Sequence, residues 1–225
     1  MTKRQFIHED FLLETEQART LYHSFASRLP IIDYHNHLPP KDIAEDRRYG
    51  NITEIWLAGD HYKWRAMRAC GVDERYITGN ASDWEKFGAW AATVPKTLRN
   101  PLYHWTHMEL LRPFGVGDLL LGPDTARDVW EKCNERLAGP ELTAQGILRA
   151  MNVEFICTTD DPVDDLRFHK MLASAGPGTP EMLPTFRPDR VMVPGDPAAF
   201  VAYIRSLGES AGIDIRSYDD LLAAL

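Results

Sequence analysis

The sequence predicts an α/β protein with parallel strands, and three observations carry that prediction. An apolar stretch, Ile31-Ile32-Asp33-Tyr34-His35-Asn36-His37, runs into Pro39-Pro40, which stops a strand because proline has no N–H to give to a ladder. Val153 to Thr159 is a second apolar run that turns polar at Thr158-Thr159-Asp160-Asp161-Pro162, before a helix pattern carrying Leu166, Phe168 and Leu172. Strands followed by helices then call for parallel pairing through right-handed crossovers. A third strand is expected within Met182 to Met192, with Arg187 near its end, followed by a helix over Pro197 to Gly208 and a last one over Tyr218 to Leu225, capped by Ser217. Three strands make either a small open sheet or the front part of a longer barrel, since a closed eight-stranded barrel takes about 250 residues.

The remaining elements read as helices. Residues 8 to 28 have a spacing that would dock Leu21 and Phe25 ahead of the first strand. Thr53 to Ala69 reads as one helical stretch ending at Gly71, and Ser82 with Glu85 three residues on forms a capping box that leads into Phe87 and Trp90. Pro101 to Leu111 offers Leu102, Trp105 and Leu110 for packing. Asp124 is the expected cap of a helix containing Val129, Trp130 and Leu137 that ends at Gly139-Pro140, and Thr143 starts a short helix through Met151. A helical block of about a hundred residues is too long for a connection between strands and is read as an inserted subdomain. The expected division is 1–40 (N-terminal helix and first strand), 41–151 (helical subdomain) and 152–225 (further strands and helices, the sheet incomplete at its C-terminal end).

Composition narrows the function. A chain of 225 residues, 44% hydrophobic, can bury a real core, and a formal charge of −8 with no Lys/Arg cluster argues against nucleic acid as a partner. A small anionic substrate needs only a few local arginines. Cys70, Cys133 and Cys157 are far apart with no CxxC pair, so neither a zinc knuckle nor a disulfide framework is indicated. No apolar run is long enough to span a membrane, and the expectation is a cytoplasmic protein without a membrane partner.

Candidate chemistry sits at the strand ends. In an extended strand alternate side chains share a face, so Asp33, His35 and His37 would project together as a chelate at the C-terminal end. Imidazoles in that spacing suit a divalent metal, and they equally suit hydrogen bonds to nearby backbone. His104 and His107, at i and i+3, could chelate or pack in a core. Asp160 and Asp161 could orient ligands or cap the next helix, and Arg65 and Arg68 could reach substrate or another subunit. Neither a glycine-rich phosphate loop nor a Ser or Cys nucleophile pattern is present.

Five stretches in order, Asp33-Tyr34-His35-Asn36-His37-Leu38-Pro39-Pro40, Gly59 to Arg68, His104 to Leu110, Thr158 to Pro162 and Thr185 to Arg190, closely resemble the first half of the uronate isomerase (glucuronate isomerase) family of the amidohydrolase superfamily. The resemblance implies a distorted (β/α)8 TIM-type barrel, present here as its N-terminal part only, with a helical excursion after the first strand. It implies aldose–ketose isomerisation of a small hexuronate by proton transfer between C2 and C1, D-glucuronate giving D-fructuronate and D-galacturonate giving D-tagaturonate, with room for a homo-oligomer. It makes His35 and His37 ligands of a divalent metal, zinc by resemblance, with a further aspartate ligand beyond residue 225. Tyr62 becomes the proton-transfer group or enediolate stabiliser with His61 beside it, and Arg187 a partner for the substrate carboxylate. The two imidazoles and the Tyr62 phenol are expected to share one pocket mouth. As bare residues, Tyr62 is equally a helix-start tyrosine packed with Trp64, and His61 and Arg187 are surface residues. Two alternatives stay beside the isomerase: a metal-dependent hydrolase of the same superfamily, and a truncated chain with no activity of its own.

Overall fold

The computed structural model describes residues 5–176 and 178–225. In chain order the elements are helix α1 (Glu16–Ser24), strand β1 (Ile31–Asp33), helices α2 (Pro40–Ala44), α3 (Ile52–Leu57), α4 (His61–Ala69), α5 (Asp83–Thr93), α6 (Pro101–Leu111), α7 (Ala126–Ala138) and α8 (Ala144–Ala150), strand β2 (Val153–Asp160), helix α9 (Arg167–Ala173), strand β3 (Glu181–Phe186), and helices α10 (Pro197–Ala211) and α11 (Tyr218–Ala224). They fall into two compact units, 1–29 with 47–151, and 30–46 with 152–225. The N-terminal helix therefore groups with the helical block, and β1 and α2 group with the sheet.

In the helical unit, Ile52, Trp56, Met67, Phe87, Trp90, Leu110, Val129 and Leu137 form one buried core, so α3, α4, α5, α6 and α7 each contribute a face. The capping box of α5 forms as expected, Ser82 and Glu85 bonding reciprocally to each other's backbone. Three expectations are corrected. The stretch read as one helix from Thr53 to Ala69 is two, because the Asp60 side chain takes the Tyr62 and Lys63 amides and restarts the helix there. Asp124 does not cap α7; Thr125 stands at that position with its hydroxyl turned to Leu120 O at 2.6 Å. Leu21 and Phe25 are not docked, being 63% and 64% exposed; α1 buries no side chain and is tied instead by its Thr15 cap and by Asp10, 2.8 Å from His23. On α6, Leu102 and Leu110 are buried as expected while Trp105 is half exposed.

In the sheet unit, β1, β2 and β3 lie side by side and parallel in that order. The register aligns Ile156 with Met182 and Thr158 with Pro184, and one face of β2 (Ile156, Thr158, Asp160) is buried while the other (Phe155, Cys157, Thr159) is only half covered. Helix α9 packs on the buried face through His169 and Leu172. β1 is three residues long and Ile32 is 62% exposed, which corrects the expectation of a buried strand reaching His37. Only β2 lies beside it among the described residues, so little covers it. α9 starts at Arg167 rather than at the aspartates, after Leu166 in a left-handed conformation (φ 54°) that ends the preceding loop. Among the described residues, no helix is long and apolar enough to cross a membrane.

Candidate functional site

The histidine pair is built by a pinned turn rather than by a strand. β1 stops at Asp33, but the Asn36 amide still donates to Cys157 O at 3.1 Å and prolongs the pairing with β2. The Asn36 side chain donates to Asp33 Oδ2 (3.2 Å) and accepts from the Leu38 amide (3.1 Å), which fixes the backbone between and after the two histidines. His35 and His37 consequently converge, their ring centroids 5.0 Å apart and the rings at 90°. Both rings are exposed. His37 Nδ1 lies 3.2 Å from Thr159 Oγ1 on the half-covered face of β2.

The other face of the same strand end holds a different set. Thr158 Oγ1 is 2.7 Å from Asp160 Oδ2 and 2.8 Å from His169 Nε2, and all three residues are buried. A hydroxyl has one proton. Thr158 gives it to the Asp160 carboxylate and so accepts from His169 Nε2–H, leaving buried His169 Nδ1 without a hydrogen-bond partner. Asp160 is thus engaged by its own strand and α9. Asp161 accepts from the Val163 amide (3.1 Å) and from the Tyr203 hydroxyl (3.0 Å), so it closes the turn after β2 and does not cap α9, whose N-cap position is Leu166; burial together with this carboxylate pushes the Tyr203 phenol up to about 12. Arg187 follows β3, its amide donating to Asp160 O at 3.0 Å and its Nε to Asp189 Oδ2 at 2.7 Å, and its side chain is 47% exposed.

His61 and Tyr62 belong to the helical unit. They open α4, with ring centroids 4.5 Å apart, and Tyr62 is 56% exposed instead of packed away. Arg65 lies over the phenol ring at 5.7 Å, whereas Arg68 is taken by Glu74 in a two-pronged pair at 2.8 and 2.6 Å. That pair, with Thr78, drops the Glu74 carboxyl to about 2. Lys63, which the sequence did not single out, is 5% exposed; its Nζ is 2.6 Å from Asp60 Oδ2 and 3.6 Å from Glu109 Oε2. Burial pulls the Asp60 pKa upward but the Lys63 charge and hydrogen bond outweigh it, leaving the group below the ordinary value, while burial raises Glu109 against the same ammonium. An Asp and a Lys three apart at a helix start were legible as a pair; Glu109, in another helix, was not. His107 is a core residue, Nδ1 donating to Tyr103 O (2.7 Å) and Nε2 accepting the Leu121 amide (3.0 Å), so neither nitrogen is left for a metal.

Two converging imidazoles meet part of the requirement of a divalent ion, and no group of three His, Cys, Asp or Glu able to hold one occurs among the described residues. A catalytic zinc commonly takes three protein ligands. Among the described residues this cluster therefore offers two donors, one short of such a site.

The chain is thus a parallel α/β protein in which His35, His37, Thr159 and Arg187 lie at or just after the C-terminal ends of the three strands, the end at which such folds commonly place their chemistry. More particularly, a family model for glucuronate isomerase matches residues 3–225, and the chain belongs to that family. It is 56% identical over 220 residues to the uronate isomerase of Cellvibrio japonicus and 57% identical over 221 to that of Pectobacterium carotovorum, each match covering 98% of this chain and 47% of the relative. A crystal structure of uronate isomerase from Thermotoga maritima matches with a TM-score of 0.89 at 41% identity, over 98% of this chain and 48% of that one. The chain spans about half the length of the relatives it matches.

Proposed function

We propose that this chain supplies part of the active site of an isomerase that interconverts hexuronates and their 2-keto forms, D-glucuronate with D-fructuronate and D-galacturonate with D-tagaturonate. The observation that carries the reading is the family match along residues 3–225. The sheet is read as the first three strands of a distorted (β/α)8 barrel, supported by its parallel order and by a helical excursion between β1 and β2.

In this reading the substrate carboxylate meets Arg187, whose guanidinium can pair with both oxygens and which Asp189 holds in one orientation. Tyr62 moves the proton between C2 and C1 through an enediol, with His61 beside it as a second polar contact. His35 and His37 would hold a divalent metal, zinc in the first instance, as two of its ligands. When bound, such an ion would supply Lewis acidity. The half-covered face of β2 gives Thr159 to orient His37, and the buried Thr158–Asp160–His169 set holds the strand end against α9.

The test is direct. The protein expressed from its complete coding sequence is incubated with D-glucuronate, and separately D-galacturonate, in D2O. Ketose formation with deuterium entering at the transferred position is the expected result. Failure to form either ketose with the zinc-, manganese- and cobalt-loaded protein would sink the reading.

A further inference from the structure

We propose that Lys63 is a positioning residue for Tyr62, clamping the first turn of α4 between Asp60 and Glu109; the proposal rests on the isomerase reading, which makes Tyr62 the proton-transfer group. Asp60 Oδ1 takes the Tyr62 and Lys63 amides at 2.9 and 3.0 Å, so the backbone of Tyr62 hangs on this carboxylate. The second oxygen, Oδ2, takes Lys63 Nζ at 2.6 Å, which fixes the plane of the carboxylate as well as its position. The ammonium is in turn held from two other helices, 3.6 Å from Glu109 Oε2 of α6 and 5.6 Å from the Trp56 ring of α3. Trp64 adds a fourth tie, its Nε1 donating to Leu57 O at 2.7 Å.

An N-cap aspartate needs no lysine to do its work, and a buried ammonium carries a desolvation penalty that its ion pairs only partly offset. Lys63 is nonetheless enclosed on a turn whose neighbours His61 and Tyr62 face solvent. What the enclosed charge adds is geometry: it leaves the cap one orientation, and the phenol one backbone to stand on. Lys63 and Glu109 also line a cavity of about 390 Å3 with Trp56, Trp105 and Met108, so shortening either side chain leaves space that water can enter.

The experiment compares wild type with the double variant Lys63→Met/Glu109→Leu, which removes the ammonium and the Glu109 carboxylate together and leaves Asp60 only its bonds from the amides of residues 62 and 63. A second variant, Glu109→Gln, keeps the shape of the side chain and the Lys63–Asp60 bond. Turnover per folded protein is measured with D-glucuronate and with its C2-deuterated form. For the double variant we expect kcat to fall by about ten- to a hundredfold with KM within about threefold, and the deuterium effect on kcat to rise as proton transfer becomes limiting. Glu109→Gln should move the same quantities the same way by less, and it decides the matter where the double variant does not fold. Unchanged kcat per folded protein, or a loss whose deuterium effect stays at the wild-type value, overturns the proposal, because a merely structural role changes the amount of active enzyme and not the isotope ratio. Wild-type protein that makes no ketose overturns the isomerase reading instead, and the positioning role falls with it.

Discussion

The hydroxyl of Thr159 stands 3.2 Å from Nδ1 of His37, on the neighbouring strand. A hydroxyl accepting from Nδ1–H selects the tautomer whose lone pair is on Nε2 and fixes the plane of the ring, the way such partners orient a ligating imidazole. Replacing Thr159 by Val removes the acceptor and keeps the shape. Zinc affinity of the complete protein, measured by chelator competition, should drop by about tenfold or more in Thr159→Val and recover in Thr159→Ser. Equal affinities in wild type and Thr159→Val would show that the hydroxyl orients nothing.

The proposed division of labour between Tyr62 and Arg187 has separable kinetic signatures. Tyr62→Phe keeps the ring beside His61 and under Arg65 but removes the proton, and kcat should fall by about 10²–10⁴-fold. Arg187→Lys keeps the charge but not the two-pronged geometry, nor the Nε bond to Asp189, and its effect should appear mainly in KM for the uronate. A Tyr62→Phe enzyme with wild-type kcat would remove the phenol from the chemistry.

His107 makes part of the stability of the helical unit depend on pH. Burial holds its pKa below the ordinary 6.5, the nearby His104 adds to that, and the Tyr103 bond opposes it. The unfolded chain therefore binds a proton where the native one does not. This contribution is whole above about pH 6.5 and is lost as pH falls from there through the native pKa. His107→Ala should cost about 1–3 kcal/mol near neutrality by orphaning the Leu121 amide. In urea titrations the variant should also lose less stability than wild type on acidification. An equal acid slope in both proteins would place the pH dependence elsewhere.

The core of the same unit holds an internal contrast. Phe87 and Trp90 are both fully buried on α5, but the Trp90 indole Nε1 has no hydrogen-bond partner. Phe87→Ala should cost about 3–5 kcal/mol through the cavity it leaves. Trp90→Phe loses volume but also an unsatisfied donor, and should cost less than half as much by the same denaturation assay. A Trp90→Phe penalty equal to that of Phe87→Ala would mean that the indole N–H is satisfied in solution.

On the half-covered face of the sheet, Ile32 and Leu183 are 62% and 41% exposed, and β1 offers a strand edge that no other described strand covers. The 225-residue chain by itself should self-associate at micromolar concentration, as seen by light scattering, and Ile32→Lys with Leu183→Lys should reduce this. A monomeric, fully dispersed chain would show that the face is tolerated by water.

Much of this was legible in the sequence because it is local. The capping box at Ser82, the caps at Ser217 and Thr143 and the helix from Pro101 to Leu111 are set by residues within one turn of each other. The meeting of His35 with His37 was anticipated from strand alternation, yet the structure achieves it by the Asn36 side chain, which competes with the ladder for the backbone. What the sequence concealed is non-local. Nothing near Lys63 announces that Glu109, two helices further along the chain, will lie 3.6 Å from its ammonium, and nothing near Thr158 announces His169. Leu21 and Phe25 show the converse: helical periodicity identifies an apolar stripe, not whether anything covers it.

The end of β2 gives the Thr159 hydroxyl to one side and the Asp160 carboxylate to the other, and that makes the length of the strand a question of parity. One residue gained or lost between Val153 and Thr158 would send Asp160 toward His37 and Thr159 toward His169, exchanging an orienting alcohol for a competing anion in a single step. Evolutionary change here is expected to proceed by replacement in place, never by insertion. A designer wanting an oxygen as the third donor beside the two imidazoles already has its address, Thr159→Asp, with no change of backbone.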